Sequence, residues 1–572
     1  MFNTTIKKLL GIACLVGLVS VGAWYLAEYN PFGFRASEVT LSGSTPEAVS
    51  DSTLVRHASP ELKLEIVVGL KSPNEADLDA LIARQQDPQS SDYLNFLSVD
   101  DFTARFAPAQ TDVDKVTDYL RSNGIVVKRV YKNRLLVHAE GTVAQLEKAF
   151  HVKINQYQYR SGVIGAMTTF DYVSNDSDPS IPVALKDIVE GVLGLNTLDR
   201  MESRVAKPMG PAPQVSQGAL SPQDVATAYN FPNANNRNGT SKYSGKGQTL
   251  AIVTAEGYDP NDVNTYWSHH GVKRGGKLID VPINGSTKAT NDETTLDLEL
   301  AGSQVPDADI RMYIAVDARF LNFAMAFNQM AIDNEAASMS VSWGACESGS
   351  GWVMMKIENI ILKQAVSQGI GIFASSGDDG AYDCAGKKPK YSVDFPSSSP
   401  SVTAVGGTTL VQNGGSRISE EAWAGSGGGV SQTWDKYPWQ HGPGVPTDNH
   451  RNTADVSMDA DPYTGYSYYF KGKWAKIGGT SASAPEWNSL WVLATEAAGR
   501  RLGSANPIVY RIGRSNDYRK AFTDITAGDN GAGRGPGYKA RPNWDHPTGW
   551  GVPNGEGLVG VIVRIAPSLP KP

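Results

Sequence analysis

The sequence predicts an α/β protein: a large C-terminal domain with a parallel sheet covered by helices on both faces, preceded by a smaller α+β domain. The chain has 572 residues, which is enough for roughly two to four domains of ordinary size. Beyond residue 220, nearly continuous apolar strands alternate with helices, a pattern typical of a buried parallel sheet. Before residue 200, the strands and helices follow a different order, which indicates a separate domain.

The composition excludes several classes of protein. The chain is 41% hydrophobic and 19% charged, which argues against a mainly disordered chain and against a polytopic membrane protein. Its 52 Lys and Arg residues oppose 59 Asp and Glu residues, for a net charge of −7. Because there is no basic excess, we do not expect nucleic acid as a partner. Three cysteines are too few for a disulfide scaffold, although one bridge remains open.

The N-terminus has the features of an export signal. Lys7 and Lys8 precede an uncharged apolar run from Leu9 to about Leu26, and small residues near position 22 offer a site for signal cleavage. The run is long for a signal peptide and near the lower limit for a membrane span. Residues 1–30 are therefore predicted to be a signal peptide or a retained anchor that tethers the chain through residues 9–26. Either alternative predicts a secreted, extracellular or periplasmic protein.

Residues 31–198 predict the smaller domain. Alternation from Leu62 to Val68 indicates a strand, and Ser72-Pro73-Asn74-Glu75 resembles a capping box with proline at the first helical position. Further helices are predicted over 99–106, from residue 111 to 124 and over 142–150, and further strands over 125–130, 135–139 and 152–157. The resulting order, β-α-β-β-α-β, predicts a ferredoxin-like α+β fold.

Residues 199–220 interrupt this pattern. Three prolines at positions 208, 211 and 213 lie among small and polar residues, with Arg200, Arg204 and Lys207 nearby. Such a composition predicts an exposed, protease-accessible linker.

Residues 221–572 predict the large domain. Strands are expected over 249–254, 310–316, 338–343 and 370–374, and helices from Asp259-Pro260 and over 290–301, 320–332 and 352–367. The glycine- and aromatic-rich region 406–475 could not be ordered from its pattern.

A candidate nucleophile lies in the string Gly478-Gly479-Thr480-Ser481-Ala482-Ser483-Ala484-Pro485, which precedes an apolar helix. Small residues on both sides let a substrate backbone approach Ser481, and free N–H groups at a helix start can stabilise developing negative charge. A glycine loop with a serine helix cap would look the same locally.

The base that would activate Ser481 is not found among the histidines. None of the five histidines beyond the linker stands in a His-Gly-Thr-His setting, and His269-His270 is expected to end a surface helix. Glu293 and Asp297 offer an alternative, because residues i and i+4 share one helix face. Two adjacent carboxyl groups do not easily ionise together, so one keeps a proton and the other can accept one in acid. A solvated helix face would also explain this pair.

A third candidate group is Ser375-Ser376-Gly377-Asp378-Asp379-Gly380, directly after a predicted strand. An aspartate can donate a hydrogen bond to an oxyanion only while it is protonated. An Asp-rich turn or a cation-binding loop is the alternative interpretation.

Together, these three motifs resemble those of the sedolisins, the serine-carboxyl peptidases, and in particular kumamolisin-like members with an N-terminal activation prodomain. The resemblance extends over about residues 60–560 and implies a subtilisin-like fold for the large domain. It implies Ser481 as nucleophile, Glu293 as general base, Asp297 as its supporting carboxylate and Asp378 as the oxyanion donor. It also implies a zymogen whose prodomain acts as an intramolecular inhibitor or chaperone, and protein or peptide substrates. Ser340-Val341-Ser342-Trp343-Gly344 resembles the family's substrate-binding strand.

The resemblance further implies one Ca²⁺ site near the C-terminus. Its ligands would be the carboxylates of Asp524 and Asp545 and the backbone oxygens of Ile525, Arg541 and Asn543. Glycine is usual in the family at the last two positions, but backbone oxygens do not require it, and an all-oxygen ligand set suits a hard cation. Cys346 and Cys384 follow active-site strands and either form a disulfide in an oxidising compartment or remain free thiols.

The sequence therefore predicts a self-processing endopeptidase that acts in acid, at roughly pH 3–5, where carboxyl groups are partly protonated. Three alternatives remain: an inactive relative that binds other molecules outside the cell, an exopeptidase of the same fold, and a subtilisin-type enzyme. The last is disfavoured by the missing histidine.

Overall fold

The computed structural model describes residues 37–163, 166–208, 218–285, 287–384 and 390–566. The predicted signal or tether, including residues 9–26, lies outside the described residues. No helix within those ranges combines the length and the hydrophobicity that crossing a membrane requires.

The N-terminal domain is built around a four-stranded antiparallel sheet. The strands up to residue 193 are β1 Glu38–Thr40, β2 Thr53–His57, β3 Lys63–Leu70, β4 Val126–Val130, β5 Leu136–Thr142, β6 Ile154–Val163, β7 Ala166–Asn175, β8 Ser180–Pro182 and β9 Val189–Leu193. The helices are Glu75–Gln86, Val99–Phe106, Gln110–Ser122 and Val143–Phe150, with short 3-10 turns at Glu47–Val49 and Val183–Leu185. The main sheet has the order β4-β5-β3-β9.

The predicted ferredoxin-like order is present, but its last strand was placed wrongly. Sequence alternation assigned that strand to residues 152–157, whereas the structure uses β9. β6 instead forms a separate three-stranded sheet with β2 and β7. The ten-residue pairing of β6 with β7 is local in sequence, and this hairpin is inserted before the chain returns to the main sheet.

The predicted capping box at residues 72–75 is also wrong. The helix Glu75–Gln86 begins after Asn74, and no side chain caps it. Ser72 Oγ donates to the carbonyl oxygen of Phe106 at 2.7 Å, and Asn74 Nδ2 donates to that of Arg105 at 2.9 Å. These two side chains therefore tie the helix start to a neighbouring helix instead of capping their own.

The large domain contains an eight-stranded sheet. Beyond residue 200 the strands are β10 Glu202–Ser203, β11 Thr249–Ala255, β12 Leu278–Ile283, β13 Asp309–Ala315, β14 Ser338–Val341, β15 Trp343–Cys346, β16 Gly371–Ser375, β17 Asp394–Phe395, β18 Thr403–Asn413, β19 Ser416–Ala422, β20 Gly429–Asp435, β21 His450–Thr453, β22 Val456–Asp459, β23 Tyr466–Phe470, β24 Lys473–Ile477, β25 Phe522–Thr523 and β26 Val552–Pro553. The order is β12-β13-β11-β14-β16-β18-β19, with β22 also beside β18, and only the β18–β19 pairing is antiparallel.

Helices cover both faces of this sheet, as predicted. They are Pro222–Ala228, Pro260–His269, Asp292–Gln304, Phe320–Asp333, Trp352–Ser367, Thr480–Ala498, Ala505–Gly513, Tyr518–Ala521 and Gly555–Ile565, with a 3-10 turn at Glu347–Gly349. Along β11, Leu250 and Ile252 belong to one hydrophobic core, whereas Ala251 and Val253 belong to the other. Alternate side chains of the strand therefore pack into two separate cores, one on each face of the sheet.

The predicted strand 338–343 is interrupted at Ser342. β14 continues the parallel sheet, whereas β15 leaves it and pairs antiparallel with β10 and β17. The carboxyl ends of β14 and β16 thus open beside a separate small sheet, and such edges are where open α/β sheets bind their ligands.

The N-terminal domain docks on the helix Trp352–Ser367 of the large domain. Glycines on the docking sheet permit the approach: an added Cβ would lie 2.4 Å from Ile357 at Gly69 and 1.9 Å from Val353 at Gly191. Lys363 on the same helix pairs with two carboxylates of the N-terminal domain, at 2.8 Å from Glu75 and 2.7 Å from Asp79.

The prediction of an exposed linker is wrong for its first part. Met201 and Arg204 are buried, with 1% and 5% of their surfaces exposed, because residues 202–206 pair with β15 and with Gly478 in the large domain. Residues 209–217 lie outside the described ranges.

Candidate active site

Ser481 lies at the start of the helix Thr480–Ala498 and is fully buried. The preceding Gly479 has φ +99°, and a Cβ there would lie 2.1 Å from the Arg204 carbonyl oxygen. Only glycine fits this turn, which orients the helix N-terminus toward the cleft. Ser481 Oγ donates a hydrogen bond to Glu293 Oε2 at 2.7 Å. The structure therefore joins two residues that are 188 positions apart.

Glu293 lies in the first turn of the helix Asp292–Gln304, which Asn291 caps by accepting from the Glu293 N–H at 2.8 Å. Its Oε2 also accepts from Ser203 Oγ at 2.6 Å and from the Arg204 N–H at 3.0 Å. Burial, and then the charge of Asp297, raise the pKa of Glu293 well above its ordinary range. A carboxyl group in this setting readily holds a proton.

Asp297 lies one turn further along the same helix and is also fully buried. Its Oδ1 accepts from Ser342 Oγ at 2.7 Å, and burial raises the pKa of Asp297 to about 8. Glu293 Oε1 and Asp297 Oδ2 are buried and have no hydrogen-bond partner among the described residues. Since two neighbouring buried carboxyl groups cannot both ionise, the pair retains at least one proton.

Asp378 follows β16 and faces the start of the Ser481 helix. Its Oδ1 accepts from the Thr480 N–H and from Thr480 Oγ1, both at 2.8 Å. Its Oδ2 is buried and has no hydrogen-bond partner in the described ranges. Burial raises the pKa of Asp378 to about 7. Below that pH the group is protonated, and the orientation leaves Oδ2 as the atom that can donate.

The free edge of Asp378 points at the space beside Ser481. A Cβ added to Gly479 would lie 2.6 Å from Asp378 Oδ2, and the Arg204 carbonyl oxygen borders the same point. The Ser481 N–H donates to that carbonyl oxygen at 3.2 Å. The Ser481 N–H and Asp378 Oδ2 thus both lie near one carbonyl oxygen, and the two could serve as oxyanion donors when Asp378 is protonated.

The histidines take no part in this arrangement. The helix Pro260–His269 ends where the sequence predicted, and His270 Nε2 forms a hydrogen bond with Ser467 Oγ at 2.8 Å. Within the described ranges, the side-chain partner of Ser481 Oγ is a carboxylate.

The residues of the predicted Ca²⁺ site also come together. Asp524 Oδ2 accepts from the Asn543 N–H at 2.9 Å, and Asp545 Oδ2 accepts from the Arg541 N–H at 2.8 Å. Asp524 Oδ1 is buried and lacks a hydrogen-bond partner among the described residues. Burial raises the pKa of Asp545 to about 7, and the charge of Asp524 adds to this. Two neighbouring carboxyl groups with raised pKa values are a setting that a cation would stabilise.

The predicted bridge between Cys346 and Cys384 is confirmed as a disulfide. It fastens the loop that follows Asp378 to β15, beside the cleft.

Three residues around the cleft are not among the predicted site residues. Thr480 holds Asp378 by two hydrogen bonds, and Arg204 occupies the cleft next to a buried Asp394. The Thr480 role is implicit in its place before Ser481. No local signal links Arg204 with Asp394, which is 190 positions away.

Comparisons with known proteins identify the family of the chain. The family model "Pro-kumamolisin, activation domain" matches residues 50–198, and the model "Subtilase family" matches residues 256–551. Sedolisin from Pseudomonas sp. (strain 101) is 31% identical, over 92% of this chain and 93% of its own length. Kumamolisin from Bacillus sp. (strain MN-32) is 29% identical, over 88% and 92% respectively.

More distant relatives and a solved structure agree. Human tripeptidyl-peptidase 1 is 24% identical over 96% of this chain and 99% of its own length. The structure of Pseudomonas sedolisin complexed with pseudo-iodotyrostatin superposes with a TM-score of 0.54 at 30% identity, covering 61% of this chain and 98% of that chain. The N-terminal domain is thus an activation prodomain and the large domain has a subtilisin-like fold. The chain belongs to the sedolisin family and is a serine-carboxyl peptidase made as a zymogen.

Proposed function

We propose that this chain is an acid-acting, self-processing endopeptidase in which Ser481 is the nucleophile. The hydrogen bond from Ser481 Oγ to Glu293 Oε2 at 2.7 Å carries this proposal. It gives the serine a base whose proton affinity is set by burial and by a second carboxyl group.

In the proposed mechanism, four residues have separate roles in hydrolysis of the peptide bond. Glu293 takes the Ser481 proton as Oγ forms a bond to the peptide carbonyl carbon, and the nearby Asp297 carboxyl group favours the protonated form of Glu293. The carbonyl oxygen becomes an oxyanion that accepts from the Ser481 N–H and from protonated Asp378. Glu293 then gives the proton to the leaving nitrogen as the C–N bond breaks. Water releases the acyl group from Ser481 by the same steps in reverse.

Endopeptidase action is supported by the course of the chain through the cleft. The segment 202–207 continues on both sides of Ser481, with Glu202 on β15 and Ala206 beside Gly478. A cleft that accommodates extended chain at both ends suits internal peptide bonds. The exopeptidase alternative draws on relatives named tripeptidyl-peptidase and predicts release of short N-terminal fragments.

The test of this function uses Ser481→Ala in the full-length chain. We expect the variant to lose proteolysis and self-processing at acid pH and to remain intact across residues 60–200. Asp435→Asn changes an exposed residue and serves as the control, and this variant should be processed normally. Processing of purified Ser481→Ala at the wild-type rate would contradict autocatalysis, and wild-type release of tripeptides alone would favour the exopeptidase.

We also propose that one Ca²⁺ ion binds Asp524, Ile525, Arg541, Asn543 and Asp545. The unpartnered, buried Asp524 Oδ1 and the raised pKa of Asp545 support a cation here. Calcium would hold the C-terminal loop by ligation and would take no part in bond cleavage.

Chelation tests the calcium proposal without an activity measurement. Because an ion that binds only the native state adds RT ln(1 + [L]/Kd) to stability, EDTA should lower the melting temperature of full-length Ser481→Ala. Added Ca²⁺ should restore it, whereas Asp524→Asn should no longer respond. An unchanged melting temperature together with no calcium in elemental analysis would refute the site.

The proposed location is outside the cytoplasm, as a secreted or periplasmic protein. The Cys346–Cys384 disulfide supports an oxidising compartment.

A further inference from the structure

The residues that precede the large domain lie in the cleft as an extended strand. Glu202 and Ser203 pair antiparallel with Gly344 and Trp343 of β15. Beyond Arg204, the Ala206 N–H donates to the Gly478 carbonyl oxygen at 3.0 Å, and the Gly478 N–H donates back to Ala206 at 2.8 Å. Main-chain pairing on both sides is how an extended peptide is bound for recognition.

This pairing sets Arg204 opposite Ser481. The Arg204 N–H donates to the Ser342 carbonyl oxygen at 3.1 Å, and the Arg204 carbonyl oxygen accepts from the Ser481 N–H at 3.2 Å. Ser481 Oγ in turn forms a 3.3 Å hydrogen bond to the same Ser342 carbonyl oxygen. The peptide bond between Arg204 and Val205 therefore has its carbonyl group at the point where the serine and the oxyanion donors meet.

The Arg204 side chain is buried in an acidic pocket of the large domain, and its guanidinium also lies 3.4 Å from Glu202 of its own segment. Its guanidinium is 2.6 Å from Asp394 Oδ2, and the Asp394 side chain is fully buried. Asp383, also buried, adds a second carboxyl group to this pocket, and burial together with the charge of Asp394 raises the pKa of Asp383 well above its ordinary range. A Cβ at Gly344 would lie 2.8 Å from Asp394 Oδ2, so the glycine of β15 leaves room for the ion pair. An isolated arginine or aspartate would be costly in such a place, and each is matched by the other.

We infer that Arg204–Val205 is the first bond the chain cleaves, and that the pocket at Asp394 and Asp383 selects substrates with arginine before the scissile bond. This inference rests on the proposed function. Ser481 Oγ bonds to the Arg204 carbonyl carbon, and the bond to the Val205 nitrogen breaks as that nitrogen receives the proton held by Glu293. Water then hydrolyses the ester, leaving an Arg204 carboxylate and a new N-terminus at Val205.

The first experiment follows the earliest cleavage. Purified full-length chain is acidified, and the products of the first minutes are identified by N-terminal sequencing and intact mass. We expect Val205 as the first new N-terminus. Arg204→Leu should slow this cut at least tenfold, while Arg204→Lys should slow it less, and Arg200→Gln should process at the wild-type rate. A first cut at another bond in wild type would overturn the inference.

The second experiment measures selectivity with the hexapeptide Glu-Ser-Arg-Val-Ala-Lys and its Leu-for-Arg analogue. Mature wild type should favour the arginine peptide at least tenfold in kcat/KM. Asp394→Asn should lose most of this preference because kcat/KM falls for the arginine peptide and stays unchanged for the leucine analogue. Glu335→Gln, a substitution at an exposed residue, should keep the preference. If Asp394→Asn does not fold, the wild-type ratio decides, and equal rates for the two peptides overturn the inference.

Failure of the arginine inference can be distinguished from failure of the proposed function by a measurement that does not depend on sequence preference. Wild-type chain that degrades an unfolded protein, and whose Ser481 is labelled by a serine-directed acylating reagent, retains the proposed function even if both arginine results are negative. Chain that is not labelled and degrades nothing contradicts the proposed function itself.

Discussion

At the scale of single residues, the candidate site contains carboxyl groups whose pKa values burial raises. Burial raises the pKa of Asp378 to about 7 and that of Asp297 to about 8. Thr480 opposes this at Asp378, because its N–H and hydroxyl donate to Oδ1. In the proposed mechanism, the unpartnered Oδ2 carries the proton toward the substrate carbonyl. Removing the linker exposes this edge to water and should bring the Asp378 pKa down in the mature enzyme.

The pH dependence of kcat/KM should report this proton. Since the pKa of Asp378 is raised to about 7, the donor is present below that pH and is lost as pH rises through it. Activity should therefore fall on the alkaline side by pH 7 or lower. In Asp378→Asn the amide donates at every pH, so its residual activity, roughly 10–1000-fold lower, should fall less steeply. Rates are measured from pH 2 to 9 on mature enzyme.

The neighbouring residue offers a matched control for this pH profile. Asp379 pairs with Arg534 on the surface, so Asp379→Asn should leave the alkaline limb in place. An optimum above pH 7 in the wild-type enzyme, or an Asp378→Asn limb as steep as that of wild type, would contradict the assignment of Asp378.

At the scale of elements, the cleft forms where the chain leaves the central parallel sheet and enters a small antiparallel sheet. β14 stops at Val341, β15 starts at Trp343, and Ser342 between them turns its hydroxyl to Asp297 and its carbonyl to the cleft. β17 pairs with β15 and brings Asp394 to its side. The Cys346–Cys384 disulfide ties the Asp383 loop to the same strand. β15 thus pairs with residues 202–203 and also holds Asp394 and Asp383 close to Arg204.

Removing the disulfide should destabilise the large domain and loosen the pocket. A bridge across 38 positions restricts the unfolded chain and stabilises a protein by roughly 2–4 kcal/mol. Changing both Cys346 and Cys384 to Ser in the Ser481→Ala background should lower the free energy of unfolding by about that amount, measured by urea titration. In active protein, KM for the arginine hexapeptide should rise. Equal stability of the two chains would show that the loop is held by its other contacts.

At the scale of the whole molecule, the fold contains many buried carboxyl groups with raised pKa values. Burial raises the pKa of Glu486 to about 8, that of Glu299 to about 10, and that of Glu358 well above its ordinary range. The Glu358 oxygens have no hydrogen-bond partner among the described residues. These groups lie in the helices that cover the sheet, so their protonation should favour the folded large domain.

Stability should consequently be greater in acid than above neutrality. Each of these groups binds its proton more tightly in the folded state than in the unfolded state. The contribution of Glu486 and Glu299 is complete below the unfolded value of about 4 and is lost as pH rises through their folded values, about 8 and about 10. The melting temperature of full-length Ser481→Ala should fall by roughly 5–10 °C between pH 5 and pH 9. Calorimetry checks this, and a rising melting temperature over that interval would contradict it.

Much of the fold and of the candidate site followed from patterns that are local in sequence. Apolar strands and capped helices predicted the covered parallel sheet, because burial on both faces demands continuous hydrophobic runs. The i, i+4 spacing of Glu293 and Asp297 places them on one helix face, and glycine before Ser481 marks a helix start open to substrate. Each of these inferences needs only the geometry of one element.

The remaining features depend on residues that are distant in the chain. Alternation alone placed the last prodomain strand at residues 152–157, because a local hairpin and a strand of the main sheet have the same period. Proline and charge predicted an exposed linker, although Arg204 is buried against Asp394. Composition predicts how readily a segment is exposed to water. Burial of Arg204 depends instead on a complementary carboxyl group that folding brings from 190 positions away. The candidate nucleophile and base could thus be singled out from sequence motifs, whereas the burial of Arg204 in the cleft became apparent only once the chain was folded.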